Sequence, residues 1–102
     1  MPAMEGILVV YKMPKGSSNT EYGRLVKRLY GQRTSSHGGR YEYRRKGLLD
    51  GVRSRRLIRG VLIVRKEDHL EVVKLLKDLG AEVHVRAVTL TDEDRKALAP
   101  QR

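Results

Sequence analysis

The chain has 102 residues, 33% of them charged, and a formal net charge of +10. That length supports one small core and not two, so residues 1–102 read as a single domain. The absence of cysteine excludes disulfides and thiolate metal sites, and no apolar run nears the roughly 18 residues of a membrane span.

Residues 6–13 read as a strand. Ile7, Leu8, Val9, Val10 and Tyr11 form a run that is apolar on both faces, bounded by Gly6 and Pro14, as in a central strand. Residues 14–19 (Pro-Lys-Gly-Ser-Ser-Asn) are a loop, and Ser18 or Asn19 can cap the helix after it. Tyr22, Leu25, Val26, Leu29 and Tyr30 recur at helical spacing, and Gly31 ends that helix. Residues 32–39 contain no large apolar side chain and read as a loop or arm. Residues 40–46 alternate Tyr41 and Tyr43 against Glu42 and Arg44, which predicts an edge strand.

Residues 47–56 are a basic connection or hairpin containing the turn signal Asp50-Gly51. Residues 57–65 are the second strongly apolar strand. Residues 66–79 read as a helix, with Glu67, Asp68 and Glu71 near its start and Lys74 and Lys77 near its end, as the helix dipole favours. Residues 81–90 alternate Val83, Val85 and Ala87 against Glu82, His84 and Arg86. Thr91, with three acids directly after it, caps a short last helix that stops before Pro100.

The predicted order is β-α-β-β-α-β with a short C-terminal helix. This is the α+β, ferredoxin-like split βαβ sandwich. Right-handed crossovers would put both long helices on one face of a four-stranded antiparallel sheet. Ile7–Tyr11 and Leu57–Val64 would be its central strands, and Tyr41–Arg45 and Val83–Ala87 its edges.

The charge is not spread evenly over this order. Between Arg24 and Arg59 lie twelve Lys/Arg and only Glu42 and Asp50 as acids, so the rest of the chain is neutral. A neutral scaffold carrying one cationic block is built to meet a polyanion, and nucleic acid is the commonest. Arg24, Lys27 and Arg28 share one stripe of the first helix, where like charges repel unless an anion sits among them.

The basic region 32–56 continues through Arg33, Arg40, Arg44, Arg45 and Lys46. Its arginines can fork onto phosphate oxygens, and Tyr41 and Tyr43 can stack on bases. Arg53, Arg55 and Arg56 form a second cluster suited to clamping phosphate. RNA is the favoured target over DNA, because Arg-rich segments with Gly and Tyr suit irregular or single strands and no helix-turn-helix pattern is present. Membership of a ribonucleoprotein would suit such a surface.

Residues 59–66 begin Arg-Gly, like the RNP1 segment of RNA-recognition motifs. Val61, Ile63 and Lys66 stand where its stacking rings belong, so that mode of base binding is not expected. Val61 and Ile63 would instead give an apolar open sheet face, and a homodimer through that face or an edge strand would cover it.

His37, His69 and His84 lie far apart with no pair at metal-ligand spacing, and no carboxylate pair accompanies His37. No metal and no cofactor is therefore expected. His37 is the one catalytic candidate. An alternative reading is a metal-independent ribonuclease using it as general acid or base. A second alternative is a dimeric structural or regulatory module whose basic block meets an acidic protein. The N-terminus lacks a secretory pattern, so a cytoplasmic location is expected, and the Arg, Lys and Glu content with no cysteine suits a thermophile.

Overall fold

The computed structural model describes residues 5–36 and 41–99, with residues 33–36 and 41–43 described in their backbone only. The elements run β1 (Glu5–Lys12), α1 (Asn19–Tyr30), β2 (Gln32–Ser36), β3 (Tyr41–Arg45), β4 (Ser54–Ile58), β5 (Val61–Val64), α2 (His69–Asp78), β6 (Glu82–Thr89) and α3 (Asp92–Leu98). Short 3-10 turns at Leu48–Asp50 and Lys66–Asp68 precede β4 and α2. The protein is α+β: a four-stranded antiparallel sheet in the order β4-β5-β1-β6, three helices, and a separate two-stranded ribbon β2-β3.

β1 lies inside the sheet because neither of its faces is polar. It pairs with β5 from Ile7↔Val64 to Val10↔Val61, and with β6 along its whole length. Val9 and Tyr11 point to one side, where Leu62 and Val64 of β5 join them. Leu25 and Leu29 of α1 and Val72 and Leu76 of α2 close that core. The two helices therefore cover the same side of the sheet. α1 starts with a capping box. The Ser18 hydroxyl accepts from the Glu21 N–H at 3.1 Å, and the Glu21 carboxylate accepts from the Ser18 N–H at 3.1 Å.

The other side of the sheet is not left bare. Ile63 is buried with Leu90 and with Leu98 of α3, and Leu8 and Val88 pack against them. The short last helix thus supplies much of the cover that the sequence pattern asks of a partner chain. Val10 and Val61 remain half-buried outside this second cluster, and Ile58 beside them is 68% exposed.

Three expectations are corrected. Tyr41–Arg45 is a strand, but not an edge of the main sheet. It pairs with Gln32–Ser36, from Gln32↔Arg45 to Ser36↔Tyr41, and residues 32–36 are accordingly a strand and not a loop. Pairing with a near neighbour in sequence closes a shorter loop and costs less entropy than reaching the sheet. The edge position belongs to Ser54–Ile58, most of which the sequence pattern places in a connection.

The third correction concerns residues 57–65, which are not one strand. A two-residue turn at Arg59-Gly60 folds β4 back on β5. Gly60 takes φ +84°, and a Cβ there would sit 2.7 Å from the Tyr11 carbonyl oxygen, so only glycine fits this turn. Among the described residues no helix is long and apolar enough to cross a membrane.

α3 is tied to the sheet by an ion pair. The Arg55 guanidinium donates to the buried Asp94 carboxylate at 2.7 Å. Asp94 also accepts from the Thr91 N–H at 3.0 Å, closing the capping box of α3. The Thr91 backbone hydrogen bond first, then the Thr91 hydroxyl and Arg55, hold the Asp94 carboxyl below the usual carboxylate range against the opposing effect of burial. A carboxyl with a lowered folded-state pKa stabilises the fold above its unfolded pKa and loses that contribution as pH falls through the folded value. Arg55→Ala is expected to cost about 1–2 kcal/mol near neutral pH, since the pair is partly exposed. In urea melts, Asp94→Asn should lower stability at neutral pH and flatten the acid limb relative to wild type.

Candidate nucleic-acid interface

The cationic stripe of α1 faces the root of the β2-β3 ribbon. Arg24, Lys27 and Arg28 come from the helix, and Arg45 and Lys46 from the end of β3 and the residue after it. Together they line one groove of about 350 Å³, completed by the neutral Thr20 and Gln32. All five cations are exposed, and among the described residues none makes an ion pair. Among the described residues no carboxylate lines the groove. Five positive charges held along one groove repel one another, and a polyanion laid between them relieves that repulsion.

Local chain geometry brings the two halves together. α1 ends at Gly31, β2 leaves at once, and the ribbon returns to deliver Arg45 and Lys46 beside the last turn of the helix. Gly47 then passes backbone to backbone against that turn. A Cβ at Gly47 would meet the Gly31 nitrogen at 2.3 Å and the Leu29 carbonyl oxygen at 2.6 Å. Asp50 secures the same crossing. Its carboxylate accepts from the Gly47 N–H at 2.7 Å and from Arg44 at 2.9 Å. The Arg44 hydrogen bond, with a smaller effect from that of Gly47, pulls the Asp50 carboxyl below its ordinary pKa. Arg44 is thus engaged with an acid at the base of the ribbon.

The second basic cluster is divided by strand alternation. Arg55↔Ile63 and Arg56↔Leu62 are cross-strand pairs, so the two arginines point to opposite sides of the sheet. Arg55 reaches Asp94 of α3. Arg56 lies over the Tyr30 ring, 4.7 Å from its centroid, on the α1 side. Arg53 lines a shallow groove with Asp50 and Ala97. The three arginines of this cluster therefore occupy three separate places.

Arg33, Tyr41 and Tyr43 belong to the ribbon by backbone pairing, opposite Arg44, Ser36 and Thr34 respectively. His37 and Arg40 lie outside the described residues, so the ribonuclease candidate has no described surroundings. Among the described residues no group of His, Asp or Glu is placed to hold a metal ion.

A second cationic groove has no counterpart in the sequence pattern. Tyr11, Tyr22 and Tyr30 meet Arg56 and Arg59 on the opposite flank of α1 from the five-cation groove. In the sequence the tyrosines count only as core residues of a strand and a helix. The turn at Arg59-Gly60, which carries Arg59 to them, lacks the usual Asn-Gly or Asp-Gly signal.

Comparison with known proteins finds no matching family model, no matching curated protein and no matching solved structure.

Gly47→Ala tests the crossing that assembles the first groove. It should cost about 1–3 kcal/mol, because a methyl group cannot enter a backbone contact at that distance without moving it. Thermal melts measure the cost. A matched Gly51→Ala, where φ is −101° and the nearest atom lies 3.9 Å away, adds the same methyl group without the clash.

Proposed function

We propose that this chain is a small basic nucleic-acid-binding protein, with RNA the first target, and that it acts by binding and not by catalysis. One observation carries the reading. Five cations from two separate elements line a single groove, with no carboxylate among its described lining residues. A solvated helix face would not need Arg45 and Lys46 brought to it. Arginine supplies planar forks for phosphate oxygens, and lysine supplies point charges.

The groove runs between a helix and a two-stranded ribbon, so the α1 stripe is not presented as a free helix for the major groove of a duplex. That favours a single strand or an irregular RNA backbone. The proposed fold for the scaffold remains the ferredoxin-like split βαβ sandwich. With the β2-β3 ribbon set aside as an insertion, β1-α1-β4 and β5-α2-β6 are two strand–helix–strand units whose strands interleave in the order β4-β5-β1-β6. The insertion then carries one wall of the binding groove, and the first helix of the sandwich carries the other.

The test is salt dependence. Five phosphate contacts on a single strand give a slope of log K against log salt near −3.5, or about a 100-fold loss of affinity between 50 and 200 mM salt. The triple variant Arg24→Ala/Lys27→Ala/Arg28→Ala should reduce that slope by about 2, with the melting temperature little changed because all three side chains are exposed. Fluorescence anisotropy with a labelled oligoribonucleotide reads the affinity and its slope. A wild-type affinity that is flat with salt would refute the proposal.

A further inference from the structure

The tyrosine-lined cavity on the other flank of α1 has a different chemistry from the five-cation groove. Its volume is about 470 Å³, within the range of small-molecule sites, about 300–1,000 Å³. Met13 and Leu25 give it an apolar floor, and Tyr11, Tyr22 and Tyr30 form its aromatic walls. Tyr22 is 40% exposed at the helix surface, so part of its ring is free to take a contact. Lys12, Arg56 and Arg59 stand among these walls, and among the described residues no carboxylate lines the cavity.

The polar groups inside are arranged for an anion. The Tyr11 and Tyr30 hydroxyls are 2.6 Å apart, one donating to the other, which leaves the accepting hydroxyl its own O–H to donate. Burial, reinforced by the Tyr30 hydrogen bond, pushes the Tyr11 hydroxyl well above its ordinary pKa, so no phenolate forms there near neutral pH. Arg56 stacks on Tyr30, which leaves the edge of its guanidinium fork open to an acceptor. Arg59 sits on the tight turn beside Gly60 and is exposed, with no ion pair among the described residues. Lys12 is less free, since Glu82 lies 3.5 Å from it, but that pair is solvent-exposed and weak.

A ligand that satisfies this cavity needs a flat π-system and a negative group a few ångströms away. Inorganic phosphate would use the cations and leave the rings idle. An uncharged aromatic would do the reverse. We infer that the cavity formed by Tyr11, Tyr22, Tyr30, Arg56 and Arg59 binds one nucleoside 5′-phosphate, with the base against a tyrosine ring and the phosphate on Arg59 and Arg56. The same chemistry is offered by a free nucleotide and by the 5′-phosphorylated end of a strand. The inference does not rest on the five-cation groove, because the two sites share no residue.

The experiment uses the whole chain and follows tyrosine ring resonances by NMR while AMP, adenosine, inorganic phosphate or a 5′-phosphorylated hexaribonucleotide is added. AMP should saturate a single site at millimolar or lower concentration, more tightly than adenosine or phosphate. Tyr22→Ala and Arg59→Ala alter exposed side chains and should each weaken AMP by about tenfold, the scale of one lost stacking or phosphate contact. Arg24→Ala, in the other groove, should leave AMP binding unchanged. Tighter binding of the hexanucleotide than of AMP, lost in Arg59→Ala, assigns the site to a strand end. Equal binding assigns it to a free nucleotide. No saturable shift with either ligand, or equal loss in Arg24→Ala and Arg59→Ala, overturns the inference. Because AMP cannot bridge both grooves, its result stands apart from the salt test on long RNA.

Discussion

Strand β1 has no polar face to give to water. Leu8 and Val10 alternate with Val9 and Tyr11, so both sides of the strand must be covered and both edges paired. β5 and β6 take the edges. α1 and α2 cover Val9 and Tyr11, and α3 with Leu90 covers the side of Leu8. Each functional feature depends on that arrangement. α1 must turn Leu25 and Leu29 inward, which fixes where its cationic stripe and its tyrosine flank emerge. Tyr11 must lie beside α1, which brings its hydroxyl to Tyr30. α3 must lie on the far side, which draws Arg55 away to Asp94 and leaves Arg56 to the near side.

The charge of the chain is thereby sorted into two chemistries. Among the described residues, the groove between α1 and the root of the ribbon is lined by cations without rings. The cavity under the β4-β5 turn holds cations among rings. A polyanion backbone suits the first, and a single base with its phosphate suits the second. Their separation on opposite flanks of one helix means that each can be altered without the other. From Arg65 onward, several charges pair locally or with the strand beneath: Arg65 with Asp68, Arg55 with Asp94, and Arg95 with Asp92.

Much of the architecture is legible along the chain because it rests on periodicity. The apolar run at Ile7–Tyr11, the helical stripe ending at Gly31, the alternation in Val83–Ala87 and the Thr91 cap each depend on neighbours within one or two turns, and each appears where the pattern puts it. Tyr41–Arg45 is legible as a strand but its partner is not. Alternation says that a segment is extended, and it does not say which edge will accept it. The turn at Arg59-Gly60 is hidden inside an apolar run, and its reason lies in the Tyr11 carbonyl oxygen, far away in the chain.

By itself the sequence determined the net charge, its confinement to residues 24–59, the identity of β1 as a central strand and the Leu25 and Leu29 core face of α1. These depend on composition and on spacing along one element. Only the tertiary structure decided which charges act together. Arg45 and Lys46 join Arg24, Lys27 and Arg28 because the ribbon folds back on α1, while Arg55 and Arg56, adjacent in sequence, are sent to opposite sides of a strand. Proximity in the chain is a poor guide to proximity in space wherever a strand alternates or a hairpin returns. Among the described residues, the cations of the +10 block therefore divide between two grooves and structural ion pairs.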